Sequence, residues 1–472
     1  MMVPQQEVFS VIRKLNPWWD GTPDTDLPTW RRNAFQELNE WLTDPPSPRA
    51  VLISGARQVG KTTLLRQAAA TLLASGVPPE QILYATFDNP ILKLIGTEGL
   101  LKAWEEIQPP RFKVEYLLLD EIQYTKDWQT WLKHQVDFEK RRRIAVTGSS
   151  IPLNTENVES GVGRWHTIKL PTLSFYEYLQ IKKIASPRFP KVHSLAQVFD
   201  WKSAKLANVA AMARPLIPHF HEYLLCGGFP ETALIENVNS AQKLLREDIV
   251  DKVLKRDMTA QFGTRRVLEL EKTFLYLCLH DGGILDLETL SGNLGVTKPT
   301  VKHFLDLFEA AHLVYKLSPF GYGKEVLKGR HKYYLADAGI SGSVLLKGRS
   351  LLEDGAKLGA AVETAFFKHV FTRYYATSVG FSYWRNKRQQ EVDIVAEIAG
   401  ELVPFEVKYS SASIQAKDVI GLIDFCREKK VNRGYVISRE LADFELLTGH
   451  ETESRILKIP AVLACYWLSQ LR

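Results

Sequence analysis

The chain is poor in cysteine, with only Cys226, Cys278, Cys426 and Cys465, and no two of them form a CxxC pair. That spacing excludes a metal knuckle. Their apolar settings, such as YLCL and LACYW, suit buried thiols of a reducing compartment. Long apolar runs are also missing. Glu7, Arg13 and Lys14 interrupt the N-terminal stretch, and no uncharged run approaches the ~18 residues that a membrane span needs. The expectation is a soluble, cytoplasmic protein with no membrane partner. Neither sign of charge dominates. Lys and Arg number 60 against 54 Asp and Glu, a net +6 over 472 residues. Such a balance permits a nucleic-acid partner without arguing for one. There is no internal repeat and no low-complexity tract. What is present is an ordinary globular composition, 45% hydrophobic and 24% charged, which excludes disorder as the main state. At ~100–200 residues per domain, the length suggests two to four domains.

Residues 1–28, rich in Pro, Asp, Thr and Trp, read as an N-terminal extension. The stretch WRRNAFQELNEWL then places Trp30, Ala34, Leu38 and Trp41 on one helical face, and DPPSP stops that helix. Strands are expected at Ala50–Ser54, Ile82–Phe87, Tyr116–Asp120 and Arg143–Thr147, alternating with helical stretches. Alternation of this kind implies a parallel sheet with crossover helices, an α/β core over residues 29–185. Residues 186–275 read as helices interrupted by Pro and Gly. Residues 276–350 read as three helices and two short strands. Mixed α/β character returns over 351–472, with GAKLGAA before Val362 as the last boundary.

The strongest motif is Gly55-Ala56-Arg57-Gln58-Val59-Gly60-Lys61-Thr62, which fits G-x-x-x-x-G-K-[ST] between the strand VLIS and the helix TTLLRQAAATLL. Glycines let backbone N–H groups wrap a phosphate chain. Lys61 sets a point charge on the β/γ-phosphates, and the Thr62 hydroxyl can ligate Mg²⁺, with Thr63 completing the ATP-binding stretch. The apolar strand YLLLDE ends in Asp120, expected to hold Mg²⁺ through water, and Glu121, expected to polarise the attacking water. Taken alone, two solvated acids would look the same; after a phosphate loop they do not. The strand IAVTGSS brings Ser149, or Thr147, towards the γ-phosphate or the lytic water, although a plain strand-end turn has the same pattern. Arg164 in GVGRW suits an arginine that reaches a γ-phosphate in a neighbouring subunit, and an ordinary surface loop arginine is its alternative.

The order GARQVGKTTLL, YLLLDEIQ, IAVTGSS, GVGRW, LPTLSFYEYL resembles the AAA+ ATPases of bacteria and archaea, above all a group with a long C-terminal region. That group shows GGFPE after the core, here Gly227 to Glu231, then a charged helix, here DIVDKVLKRD. The resemblance covers nearly the whole chain from Trp30. It implies an ATPase with a helical lid and DNA-associated modules, using ATP and Mg²⁺; it does not imply a substrate.

Residues 284–316 read as a winged helix. Leu287 and Leu290 anchor a short helix, Gly292 to Val296 turn, and Thr297 caps a second helix whose buried face is Val301, Phe304, Leu305 and Phe308. Lys298, Thr300, Lys302 and His303 fall on exposed positions near its start, as in a recognition helix facing DNA. LVYKLSP and KYYLADA, with Gly321, Gly323 and Lys324 between, would form the wing. A winged helix used for protein contacts would carry the same pattern.

The last region carries a carboxylate pattern. Glu363 lies in a helix, Asp393 in EVDIV, and Glu406 and Lys408 in VPFEVK. Strand alternation puts Asp393 opposite in face to Val392 and Ile394, and Glu406 with Lys408 on one face. Two adjacent strands can thus gather these groups, a donor set that suits one or two Mg²⁺ ions, with Lys408 orienting or activating a water. The layout E…D…ExK resembles the PD-(D/E)XK nuclease superfamily, many members of which do not cleave. Arg385, Lys387 and Arg388 would help hold a phosphate backbone. A solvated strand face, or a relic of a nuclease fold, would carry the same residues.

Three readings compete. One is an ATPase that couples hydrolysis to DNA binding, with metal-dependent DNA cleavage as a further activity. Another is a regulatory ATPase switch whose nuclease-like domain does not cleave. The third is a protein-remodelling ATPase.

Overall fold

A computed structural model describes residues 4–22, 24–108, 114–149, 163–258, 266–321, 326, 329–449 and 453–470. Ser150, Gly161, Val162, Gly323 and Lys324, singled out above, lie outside them. The chain divides into two compact units, residues 1–170 with 310–312, and residues 171–309 with 313–472.

The first unit is built on five strands: β1 (Ala50–Ser54), β2 (Ile82–Thr86), β3 (Glu115–Asp120), β4 (Arg142–Gly148) and β5 (Trp165–Lys169). All neighbours are parallel, in the order β2-β3-β4-β1-β5. This is the α/β core expected from the alternation, with one further strand at its edge. Near-continuous apolar runs such as Leu117, Leu118 and Leu119, all buried, are what a sheet covered on both faces requires. Parallel strands place all their C-terminal ends at one edge, so the loops after β1, β3 and β4 converge there.

Two expectations need correction. The first 28 residues do not stand apart as an extension. Gln5–Leu15 is a helix, and its Val8 and Ile12 belong to the same core as Leu83, Leu117 and Trp104. Asn16 ties it to the sheet: its Nδ2 donates to Tyr84 O, and its Oδ1 accepts from Tyr84 N–H. The next helix starts at Ala34 rather than Trp30 and buries Phe35, Leu38 and Leu42. The buried stripe therefore includes Leu38 but lies one residue away from Ala34 and Trp41.

The second unit holds an eight-stranded sheet. Its strands are β6 (Gly283–Ile284), β7 (Val314–Pro319), β8 (Lys332–Leu335), β9 (Ser378–Arg385), β10 (Glu391–Ile398), β11 (Glu401–Lys408), β12 (Arg433–Ser438) and β13 (Arg455–Pro460), in the order β13-β12-β11-β10-β9-β7-β8-β6. The sheet runs across the boundary expected at 350. Strand β7 pairs with β9 through Ser318 and Pro319, so the two regions share one sheet. The two compact units part after Leu170, within the stretch 29–185 expected as the core. Helices Leu287–Leu294 and Lys298–Ala310 match the two helices expected there, and β7 with β8 forms the antiparallel pair.

The GGFPE stretch has a steric basis. Gly227 adopts a positive φ of 75°, and a Cβ on it would lie 2.6 Å from Asp337 Oδ1. The Gly228 N–H donates to Asp337 Oδ2 at 3.1 Å. Asp337 in turn pairs with the buried Lys368 at 2.8 Å. The glycines thus admit a buried ion pair to the backbone.

Candidate nucleotide site and carboxylate cluster

The loop Gly55 to Gly60 joins β1 to the helix Lys61–Ala74. Gln58 and Gly60 adopt positive φ, 61° and 97°, the backbone reversal that turns a strand into a phosphate cradle. Gly55 cannot be replaced without movement, because a Cβ there would meet Leu170 O at 2.1 Å. Lys61 is buried, and its Nζ donates to Gly55 O at 3.0 Å and Ala56 O at 2.8 Å. Arg32 braces the loop by donating to Val59 O at 2.7 Å, and Arg57 donates to Tyr124 Oη at 2.8 Å.

The strand-end groups meet beside this loop. Thr62 Oγ1 donates to Asp120 Oδ2 at 2.7 Å, and Thr147 Oγ1 donates to Asp120 Oδ1. The Glu121 N–H donates to Thr147 Oγ1 at 2.9 Å, which fixes Glu121 at φ 53°. Ser149 Oγ donates to Glu121 Oε2 at 3.2 Å, and Gln123 Nε2 donates to both Glu121 and Ser149. Burial raises the Asp120 carboxyl, against the hydrogen bonds from Thr147 and Thr62, and burial likewise raises the Tyr84 phenol beside it. Thr62 and Asp120 fit Mg²⁺: one hydroxyl and one carboxylate are the small protein share this ion takes when phosphates and waters fill the rest of its octahedron. Gln123 and Tyr84 join the site without having been singled out: Gln123 closes the motif YLLLDEIQ, and Tyr84 lies on the neighbouring strand β2 with no motif of its own.

Arg164 takes a different place. Its carbonyl accepts from Ala50 N–H at 3.0 Å, and its Nε lies 3.3 Å from Asp137 Oδ1. It therefore sits where β1 begins, whereas the phosphate loop leaves from where β1 ends.

In the second unit, Lys298, Lys302 and His303 are exposed on the Lys298–Ala310 helix, whose Val301, Phe304, Leu305 and Phe308 are buried. Lys298 Nζ lies 3.1 Å from Glu288 Oε1, so its charge is partly countered. Thr300 is half-buried, with its hydroxyl 2.9 Å from Thr297 Oγ1.

The carboxylates do gather. β10 and β11 are antiparallel with Ile394 opposite Phe405, which brings Asp393 to Glu406. The ladder between β9 and β10 slips between Val392 and Val395, the kind of bulge that re-aims a side chain. Glu363 comes from the Gly355–Tyr374 helix, capped by Asp354. One group was not expected. Lys332 of β8, 2% exposed, places its Nζ 2.8 Å from Glu363 Oε1, 2.9 Å from Glu391 Oε1 and 3.0 Å from Asp393 Oδ1. Asp393 Oδ2 accepts from Val407 N–H at 2.8 Å, and Tyr334 Oη donates to Glu363 Oε1 at 2.6 Å. Lys408 Nζ lies 2.7 Å from Glu406 Oε1. Burial, then the Asp393 charge, pushes Glu363 and Glu406 up. Burial opposes ionisation of Asp393 too, but Lys332 and the Val407 N–H outweigh it and hold that carboxyl low. Among the described residues there is no group of three or more His, Cys, Asp or Glu placed to hold a metal ion. The three-carboxylate metal site expected from Glu363, Asp393 and Glu406 is thus corrected: an ammonium stands among them, and they do not fit Mg²⁺ as they are arranged. Lys332 opens β8, and nothing in KYYL signals partners on other elements.

Among the described residues no helix is long and apolar enough to cross a membrane. Two regions of the second unit, 217–350 and 358–460, match models described as domains of unknown function. An uncharacterised protein of Haemophilus influenzae is 26% identical over 80% of this chain and 86% of its own length. Another, of Methanocaldococcus jannaschii, is 24% identical over 87% of this chain and 83% of its own. Among solved structures, C. elegans PCH-2 is matched at 14% identity and a TM-score of 0.22, over 38% of this chain and only 45% of that one. A replication initiator DnaA bound to AMPPCP and single-stranded DNA is matched at 16% identity and a TM-score of 0.26, over 62% of this chain and 92% of that one. Residues 47–179 match the model described as an AAA domain, and with the phosphate loop and its strand-end acids inside those bounds, this stretch is the AAA-type ATPase domain of the chain.

Proposed function

We propose that the chain hydrolyses ATP with Mg²⁺ and couples that cycle to DNA binding by its second unit. The observation that carries the reading is the hydrogen-bonded set Thr62, Asp120, Thr147, Glu121 and Ser149 beside the phosphate loop. Thr62 and Asp120 would hold Mg²⁺, which when bound neutralises charge across the phosphate oxygens. Residues Gly55 to Thr63 cradle the phosphates, and Lys61 leaves its two carbonyl partners for a better one, the β/γ-phosphates. Glu121 is held by Ser149 and Gln123 to orient a water and accept its proton. Arg164 serves a neighbouring subunit's nucleotide, a role that its position at the start of β5 supports over one in its own chain. Lys298, Thr300, Lys302 and His303 supply the DNA contact.

Lys332 among the carboxylates favours a second reading of the last region, a switch that does not cleave, over metal-dependent cleavage with Lys408 as the water-orienting group. The test of the main reading is ATP turnover with Mg²⁺ against rising DNA. Turnover that changes with DNA, with DNA retention that weakens in salt, supports it. Turnover indifferent to DNA, with no retention at any salt, supports the protein-remodelling reading instead.

A further inference from the structure

We propose that Lys332 is a built-in cation: its ammonium takes the place of a divalent metal ion at the Glu363–Asp393 cluster, so this site works without metal. Nζ of Lys332 is nearly equidistant from oxygens of Glu363, Glu391 and Asp393, at 2.8, 2.9 and 3.0 Å. A shared point among carboxylates of a helix and a strand is where a hard cation would sit, and Mg²⁺ would need its oxygens at about 2.0–2.1 Å. Both oxygens of Asp393 are engaged, one by Lys332 and the other by the Val407 N–H. The remaining acid, Glu406, is held by Lys408 at 2.7 Å.

Lys332 is not placed to withdraw. Its backbone lies in register with Leu317 of β7 on one side and Ile284 of β6 on the other. The side chain is 2% exposed, and a charge that deep is tolerable only while its partners stay ionised. Entry of a metal would therefore oppose a fixed positive charge and strip that charge of its counter-ions. The three acids in turn would repel one another without it. The ammonium and the acids thus account for each other, and they fasten β8 to the helix and strand that carry the nuclease-like pattern.

The test is Mn²⁺ binding to the full chain without nucleotide, read by electron paramagnetic resonance of the free ion. Wild type and Asp393→Asn should bind Mn²⁺ alike, because any binding belongs elsewhere. Lys332→Met should gain one site, and Asp393→Asn placed on top of it should remove that site. If wild type binds Mn²⁺ and Asp393→Asn loses it, the proposal is overturned. A folded Lys332→Met chain that gains no site also overturns it, since the cluster would then be no cation site. If Lys332→Met does not fold, the comparison of wild type with Asp393→Asn decides alone.

Discussion

Arg164 Nε meets Asp137 Oδ1 at 3.3 Å, at the end of the sheet where β1 enters it. The phosphate loop leaves from the other end of β1, about 13 Å of strand away at ~3.3 Å per residue. The role proposed for Arg164 is accordingly towards the nucleotide of a neighbouring subunit. Specific ATPase activity should therefore rise with protein concentration, and Arg164→Ala mixed into wild type should lower it. Activity independent of concentration, with Arg164→Ala near normal, removes Arg164 from the site.

The proposed DNA contact of the Lys298–Ala310 helix predicts a change in salt dependence. Lys298→Ala with Lys302→Ala should flatten the slope of log K against log salt by up to ~2 units, about 0.9 for each phosphate no longer neutralised. The Glu288 partner of Lys298 makes Lys302 the larger contributor. An unchanged slope in a filter-binding titration moves the DNA surface elsewhere.

Asp281 accepts hydrogen bonds from Leu335 N–H and Thr364 Oγ1, each at 2.8 Å. Burial nevertheless raises its carboxyl from 3.8 to about 7. The folded state thus holds this proton more tightly than the unfolded state. The stabilisation is complete below pH 3.8 and is lost as pH rises through about 7. In that window the group lowers stability by up to ~1.4 kcal/mol per pH unit. Asp281→Asn should remove that slope from urea melts followed between those values. A wild-type slope that survives the substitution assigns it to another group.

The grouping of the candidate nucleotide site is legible in the sequence because its parts are contiguous motifs on strand ends, and a parallel sheet must bring those ends together. Asp393, Glu406 and Lys408 were legible through strand alternation across one hairpin. Lys332 was not: its partners lie on a helix and a strand after it in the chain, and only the fold of an eight-stranded sheet unites them. The same holds for the continuity of that sheet across residue 350. Two residue pairs, Ser318 with Ser382 and Pro319 with Tyr383, join β7 to β9, and no local pattern announces so short a pairing. The first helix does carry a local signal, Val8, Val11, Ile12 and Leu15 at i, i+3, i+4 and i+7, which the Pro, Asp, Thr and Trp content of residues 1–28 masks; what the sequence does not show is the sheet core that these residues cover.

The most direct test of the account is ATP binding and turnover by wild type, Lys61→Ala and Glu121→Gln under the same conditions with Mg²⁺. Glu121→Gln keeps the shape of the side chain and removes the proton acceptor. It should bind ATP as wild type does and turn it over at least ~10²-fold more slowly. Lys61→Ala should lose both, because the charge on the β/γ-phosphates is gone. If Glu121→Gln hydrolyses ATP at the wild-type rate, or if wild type itself neither binds nor hydrolyses ATP, the account is contradicted at its centre.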